Sequence, residues 1–410
     1  MIIISNGLGH FHLRQAAEAA FESNALRIFV TGAYPKGPLW GNVAKLPAAR
    51  LQRLAGRGAS LPDQLVSTSS VPDVFNQLAG QAMRRPWLRP AYESISANVL
   101  RAYQRRLVGV LRAHGRPCDV FHYRAGYSGK AALEVARSKG MFLLCDHSIA
   151  HPQVLSSLAR GNGMTEVAAK DQLGPFWEQV MGDIDLADHV VVNSHFVRDT
   201  FARVGESTER VSVVYTLPED NFVTPKELAR GSSAGAKLRV LFAGTLNERK
   251  GLHDLEKIIK ASSSEILFEL VGLVDVQLAS VVGGLEKMGN VQVLGVRPRS
   301  ELSRRMRDAD VFLFPSRAEG SARVVAEAMS SNCAVLTTVE SGSLLPKDDW
   351  QVSGSGDWSL MAGKLRQLSE DKKLVQQLAT RNALVLEQYR ETSYGDRLRD
   401  VYDLVRELQR

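Results

Sequence analysis

Short apolar runs rich in Val, Ile, Leu and Phe recur along the chain, and between them apolar residues return every three or four positions. A strand buried on both faces reads as a continuous apolar run, whereas a return near every 3.6 residues marks an amphipathic helix. The alternation predicts parallel strands joined by helices, the pattern of an open α/β sheet. A first series places strands over 2–5, 28–31, 119–123, 141–145, the end of 184–193, and 211–215, with helices over 12–22, 130–138 and 195–204. A second places strands over 238–243, 267–271, 291–294, 311–314 and 334–338, with helical segments over 252–261, 301–307, 322–331 and 394–408. The pattern loosens over 33–90 into Pro, Gly and Arg with dispersed aromatics, and the run ARGSSAGAK at 229–237 reads as a linker. With 410 residues the chain exceeds one ordinary core, so two domains of roughly 200 residues each are expected.

The second series centres on residues 310–338. Its strand turns at Pro315 and Ser316 into a polar loop, 317–321, and then into a helix, with Glu319 and Glu327 framing the junction. There a βαβ unit presents backbone N–H groups and the positive end of a helix dipole, which suits an anion such as the diphosphate of an activated metabolite. Glu327 lies off the apolar face made by Val324, Val325, Ala328 and Met329, so geometry alone reads it equally as a solvated glutamate. Upstream, GTLNERKG puts Arg249 and Lys250 at the carboxyl end of a strand. A guanidinium fork and a mobile ammonium would together neutralise a diphosphate, although paired cations on a loop are also commonly solvated.

In the first series, Asp146-His147-Ser148 follows a strand, where ligands of open sheets gather. A histidine titrating near neutrality there would hydrogen-bond a sugar hydroxyl or phosphate; a capping or core role is the alternative. Gly7 and Gly9 form a tight loop between the first strand and helix, either a nucleotide-binding start or a close turn without ligand contact. His12 occupies the place of the third glycine of a dinucleotide fingerprint, which disfavours NAD.

Charge narrows the partners further. With 51 Lys and Arg against 44 Asp and Glu, the net charge of +7 favours anionic partners. No aromatic-rich sheet motif or concentrated basic helix supports nucleic acid. The three cysteines, Cys118, Cys145 and Cys333, are scattered without zinc spacing and read as buried thiols of a reducing compartment. Asp308-Ala309-Asp310 precedes its strand and Asp183-Ile184-Asp185 ends a helix, so neither reads as a metal site. The start MIIISNGLGH lacks the basic region and long apolar stretch of a secretory leader, so a cytoplasmic location is expected. Residues 83–89, MRRPWLR, admit peripheral contact with an anionic membrane at the inner face of the cell membrane, beside the plainer reading of a helix with Trp87 inward.

These features resemble the retaining glycosyltransferases of family 4. PSRAEGSARVVAEAM is similar to that family's paired-glutamate motif, GTLNERKG to its phosphate loop, and ADHVVVNSHFVRDTF with VVYTLPEDNF to its last amino-terminal-domain helix and strand. The resemblance implies the GT-B fold, α/β with two facing Rossmann-like domains and a cleft between them. It implies an acceptor-side domain over 1–217, a nucleotide-sugar domain over 218–388, and a helix within 389–410 crossing back to the first. The implied reaction moves a hexose from a UDP- or GDP-sugar to a glycan or lipid-linked acceptor, with retention and without a metal or other cofactor. Glu327 would bind the ribose, Glu319 would face the transferred sugar, and Arg249 and Lys250 would stabilise the leaving diphosphate. Backbone at Gly320, Ser321 and Ala322 would hold phosphate or sugar oxygens, His147 would approach the donor sugar, and Gly7 and Gly9 would match the first glycine loop. The base would lie against backbone near Gly272 and residues 295–297, including Arg297. Thr245 replaces an arginine common after the first glycine of the phosphate loop, and Asn332 and Ala334 replace the usual glycine and proline after the helix; Asn tolerates a left-handed turn. The alternative is a nucleotide-sugar-binding protein without catalysis; a GT-B phosphorylase or a nucleotide-sugar epimerase ranks lower.

Overall fold

A computed structural model describes residues 1–9, 12–35, 60–70, 72–74, 89–160, 162–217 and 237–408. The segment 83–88, the linker 229–236 and most of 33–90 lie outside the described residues. The first half contains β1 (Ile2–Ser5), α1 (Leu13–Glu22), β2 (Leu26–Thr31), β3 (Val66–Thr68), α2 (Arg89–His114), β4 (Val120–Arg124), α3 (Lys130–Ser138) and β5 (Phe142–His147). It continues with α4 (Pro152–Ala159), α5 (Pro175–Asp185), β6 (His189–Val192), α6 (His195–Arg203) and β7 (Val211–Val213). The second half runs β8 (Leu238–Ala243), α7 (Leu252–Ala261), β9 (Ile266–Val271), α8 (Ala279–Glu286), β10 (Val291–Gly295), α9 (Arg299–Asp308), β11 (Val311–Phe314), α10 (Arg323–Ser330) and β12 (Ala334–Thr338). Last come β13 (Val352–Ser353), α11 (Trp358–Glu370), α12 (Lys372–Arg390) and α13 (Tyr394–Leu408).

The strands form two parallel sheets, ordered β3-β2-β1-β4-β5-β6-β7 and β10-β9-β8-β11-β12-β13. Both begin 3-2-1-4, so the direction of winding reverses between β1 and β4 in one sheet and between β8 and β11 in the other. At such a reversal the loops leaving neighbouring strands diverge and open a crevice beyond the carboxyl ends. The first sheet is covered on one face by an apolar layer including Ile3, Phe121, Leu143 and Val190. On its other face Ile2, Ile4, Phe29 and Leu144 pack with α1 and with Leu398, Val401, Tyr402 and Val405 of α13. The last helix thus completes the core of the first domain, and His122 Nδ1 lies 2.9 Å from Tyr402 Oη. No helix among the described residues is long and apolar enough to cross a membrane.

The apolar pattern located most strands within two residues, and its departures have local causes. β5 extends through Asp146 and His147 rather than ending at Cys145, because Asp146 is paired at the strand's end with His12, at 2.7 Å, and with Arg124. Tyr215 lies beyond β7. β3 falls inside the loosened region; three residues at a sheet edge carry too little pattern to stand out. Asn332 adopts φ 61°, the left-handed turn after α10 that an asparagine tolerates.

Candidate active site

The carboxyl ends of β8 and β11 meet at the reversal of the second sheet, and the loops leaving them are fastened together. Arg317 donates its backbone N–H to the Arg249 carbonyl at 2.9 Å, and Arg249 Nη1 donates to the Ala318 carbonyl at 2.7 Å. Gly251, at φ 76°, passes so close to Pro315 that a β-carbon there would collide with the Pro315 carbonyl. Arg317 is tied in turn to the start of α7 by its ion pair with buried Asp254, at 3.0 Å.

Within this junction the predicted cations and carboxylate converge. Glu319 Oε1 lies 2.6 Å from Arg249 Nη1, 2.5 Å from Lys250 Nζ and 3.1 Å from Ser316 Oγ. The Lys250 ammonium also sits over the Phe314 ring, 4.9 Å from its centroid. Burial pulls Lys250 below the ordinary lysine pKa while Glu319 opposes that pull. One carboxylate therefore serves as the internal counter-ion of two cations.

Glu327 stands on α10, the helix that follows this loop. Its side chain is 2% exposed, so the solvated reading is overturned, and it pairs with Arg299 Nη2 at 2.9 Å. The helix buries Glu327 with Val325, Ala328 and Met329, and leaves Val324 half-buried. Arg299 was not singled out from the sequence, where nothing marks a residue 28 positions away as the partner. Arg297, two residues earlier, instead lies 3.5 Å from Glu301 on the outside of α9.

The backbone donors differ in availability. Ala322 spends its N–H on the Ser341 carbonyl at 2.8 Å, which removes it from the expected set, as Glu319 spends its own on Glu340 at 2.9 Å. Gly320 comes close to the first domain: a β-carbon there would collide with the Ser148 carbonyl. His147 itself is turned inward. Its Nε2 lies 3.4 Å from the Ala150 carbonyl, its ring packs edge-on against Phe201, and burial, with Arg124 nearby, lowers its pKa to about 3. The expected near-neutral titration is therefore corrected, and His147 stays apart from the Glu319 cluster, although the next residue meets Gly320. Gly7 gives its N–H to the Tyr103 hydroxyl at 3.0 Å, so that amide faces the protein. Gly9, at φ 112°, turns the chain toward α1.

The first sheet carries its own polar centre at the reversal between β1 and β4. Burial alone would raise Asp146, yet His12 and Arg124 hold its carboxyl well below the usual range. Asp183 closes the loop after β4, accepting from Gly126 N at 2.9 Å and Gly129 N at 3.1 Å. Among the described residues no group of three or more His, Cys, Asp or Glu side chains has the arrangement of a metal site.

Residues 224–384 match the family model described as Glycosyl transferases group 1, and this match contains the Glu319, Arg249 and Lys250 cluster. The amylovoran biosynthesis glycosyltransferase AmsK of Erwinia amylovora is 29% identical over 149 residues, 32% of this chain and 36% of that protein. That alignment spans little more than a third of the relative's length. Among solved structures, the chain is similar to Anabaena Alr3699/HepE in complex with UDP and glucose, with 13% identity, coverage of 98% and 99% of the two chains, and a TM-score of 0.63. It is similar also to sucrose-phosphate synthase from Thermosynechococcus elongatus, with 16% identity, 99% of each chain covered and a TM-score of 0.66. A third is an E. coli structure described as trehalose-6-phosphate bound with UDP-2-fluoro glucose, with 12% identity, 99% of each chain covered and a TM-score of 0.64. The two parallel-sheet Rossmann-like domains thus form a GT-B architecture.

Proposed function

We propose that the protein is a retaining, metal-independent glycosyltransferase that moves a hexose from a nucleotide-diphosphate sugar to a glycan or lipid-linked acceptor. The observation that carries this reading is the convergence of Arg249 and Lys250 on Glu319, at the winding reversal of the second sheet. Two cations held by one internal carboxylate are a preformed seat for a diphosphate, which would replace that carboxylate as their counter-ion. As the bond from anomeric carbon to diphosphate breaks, its electron pair goes to the phosphate oxygen, and fixed positive charge there lowers the barrier. The acceptor oxygen bonds the same face of the sugar and its proton passes to the departing phosphate. In this reading Glu327 binds the ribose hydroxyls and Glu319 faces the transferred sugar, with the Gly320 and Ser321 amides holding phosphate or sugar oxygens. Arg249 and Lys250 supply the charge that other transferases draw from a divalent cation.

The neighbours whose descriptions name UDP or a UDP sugar support a UDP-sugar donor, and the resemblance to AmsK supports a role in polysaccharide assembly. Calorimetry with a panel of UDP- and GDP-sugars, followed by product analysis in EDTA, tests the reading. Saturable binding of one donor, and transfer that persists in EDTA with retained anomeric configuration, are expected. Binding to none of the panel would overturn the donor assignment, and activity abolished by EDTA and restored by manganese would overturn metal independence.

A further inference from the structure

The loop carrying Glu319 is seated in the first domain as well as the second. Ala318 is fully buried within the apolar layer of the first sheet. Ser194, also fully buried, accepts from Val197 N at 3.1 Å as the cap of α6 and stands 2.5 Å from the Gly320 carbonyl. A hydroxyl has one proton, so accepting from Val197 leaves that proton for Gly320. Asn193 Nδ2 donates to the Ser148 carbonyl at 3.3 Å, beneath the same glycine. A β-carbon at Gly342 would collide with both the Gly320 carbonyl and the Ser194 hydroxyl. One turn further along, Tyr215 Oη accepts from His195 N at 3.1 Å and donates to the Ser343 carbonyl at 3.2 Å. Ser194 therefore grips the loop itself and Tyr215 the stretch 340–343 behind it, to which Glu319 N and Ala322 N bond at Glu340 and Ser341.

We propose that Ser194 and Tyr215 are positioning residues: they clasp the Gly320 loop to the first domain and thereby set where the Glu319 carboxylate stands between the cations and the donor sugar. The positioning role rests on the transferase reading; the clasp itself does not. Hydrogen exchange on the full chain separates them. Ser194→Asp, as a carboxylate, keeps a side-chain acceptor for Val197 but offers no proton to Gly320, and Tyr215→Phe removes the bond to Ser343 together with the one accepted from His195 N. Each is expected to speed exchange of the Glu319 and Ala322 amides at least tenfold while protection in β11 and, for Ser194→Asp, in α6 is unchanged. With the donor found by calorimetry, each is expected to lower kcat at least tenfold with KM for the donor within twofold. A cap serving only local structure would leave the Ser194→Asp variant at wild-type exchange in 317–322, and that result overturns the clasp. If Ser194→Asp proves unfolded, Tyr215→Phe decides by the same readout. Faster exchange with unchanged kcat overturns the positioning role. A wild-type chain that turns over no nucleotide sugar counts against the transferase reading, while the exchange result still decides the clasp.

Discussion

Glu327 is a carboxylate taken almost wholly out of water and paired with the half-exposed Arg299 guanidinium, and that environment fixes its consequences. A hydrogen bond from a ligand hydroxyl to a charged group is worth about 1.5–3 kcal/mol. Glu327→Ala is therefore expected to weaken nucleotide-sugar binding by roughly 10- to 150-fold, read by calorimetry. Unchanged affinity would overturn the ribose role proposed for Glu327. Lys250→Met is expected to cut kcat by about 100- to 1,000-fold, the range for losing one preorganised charge at a developing anion, with the donor dissociation constant moving far less. The Glu319, Arg249 and Lys250 set was legible in the sequence because each residue lies just past an apolar strand, where side chains and loop ends must face the crevice. Arg299 was not legible, since its meeting with Glu327 depends on how α9, on its way from β10 to β11, packs beside α10.

At the level of elements, the adjacent strands β4 and β5 hold two histidines that burial keeps neutral. Burial lowers His122 to about 4 and His147 to about 3, against the ordinary 6.5. The folded state resists protonation that the unfolded chain accepts, so their contribution is full above pH 6.5 and is lost as pH falls toward 4. Asp183 acts in the opposite sense: burial, opposed by the loop amides, pushes it up to about 7 from 3.8, so its contribution declines as pH rises through that range. Two histidines against one carboxyl leave a positive slope. Stability is expected to rise between pH 4.5 and 6.5 by up to about 1.4 kcal/mol per unit for the one net proton, measured by urea unfolding across that window. A flat profile would contradict it. His147→Phe should shallow the slope. The sequence marked His147 as special by its place after an apolar run, but only the packing of Phe201 against it decided that the ring turns inward.

At the scale of the molecule, the chain's last helix stabilises its first domain. Leu398 is fully buried among residues of β1, β2 and α1. Leu398→Ala is expected to cost about 2–5 kcal/mol, the range for truncating a buried leucine, seen as a lowered unfolding midpoint. Donor affinity should hold, because the Glu319, Arg249 and Lys250 cluster proposed to seat the diphosphate lies on the other sheet. A Leu398→Ala protein with an unchanged midpoint would contradict the role of α13 in that core.

What the sequence determined by itself was the alternation of buried strands and amphipathic helices, and with it two parallel sheets, because burial on both faces leaves a local record in every run such as 238–243 or 311–314. It also marked the positions just beyond those runs, where polar residues collect at strand ends. The tertiary structure decided which of those ends become neighbours. The reversal between β8 and β11 brings Lys250 to Glu319, the packing of α9 beside α10 brings Arg299 to Glu327, and the meeting of the domains brings Ser194 to Gly320. Each is a contact between residues 28 to 126 positions apart. Charge pairing and close approach depend on distance in space, and for residues so far apart local pattern carries no record of that distance.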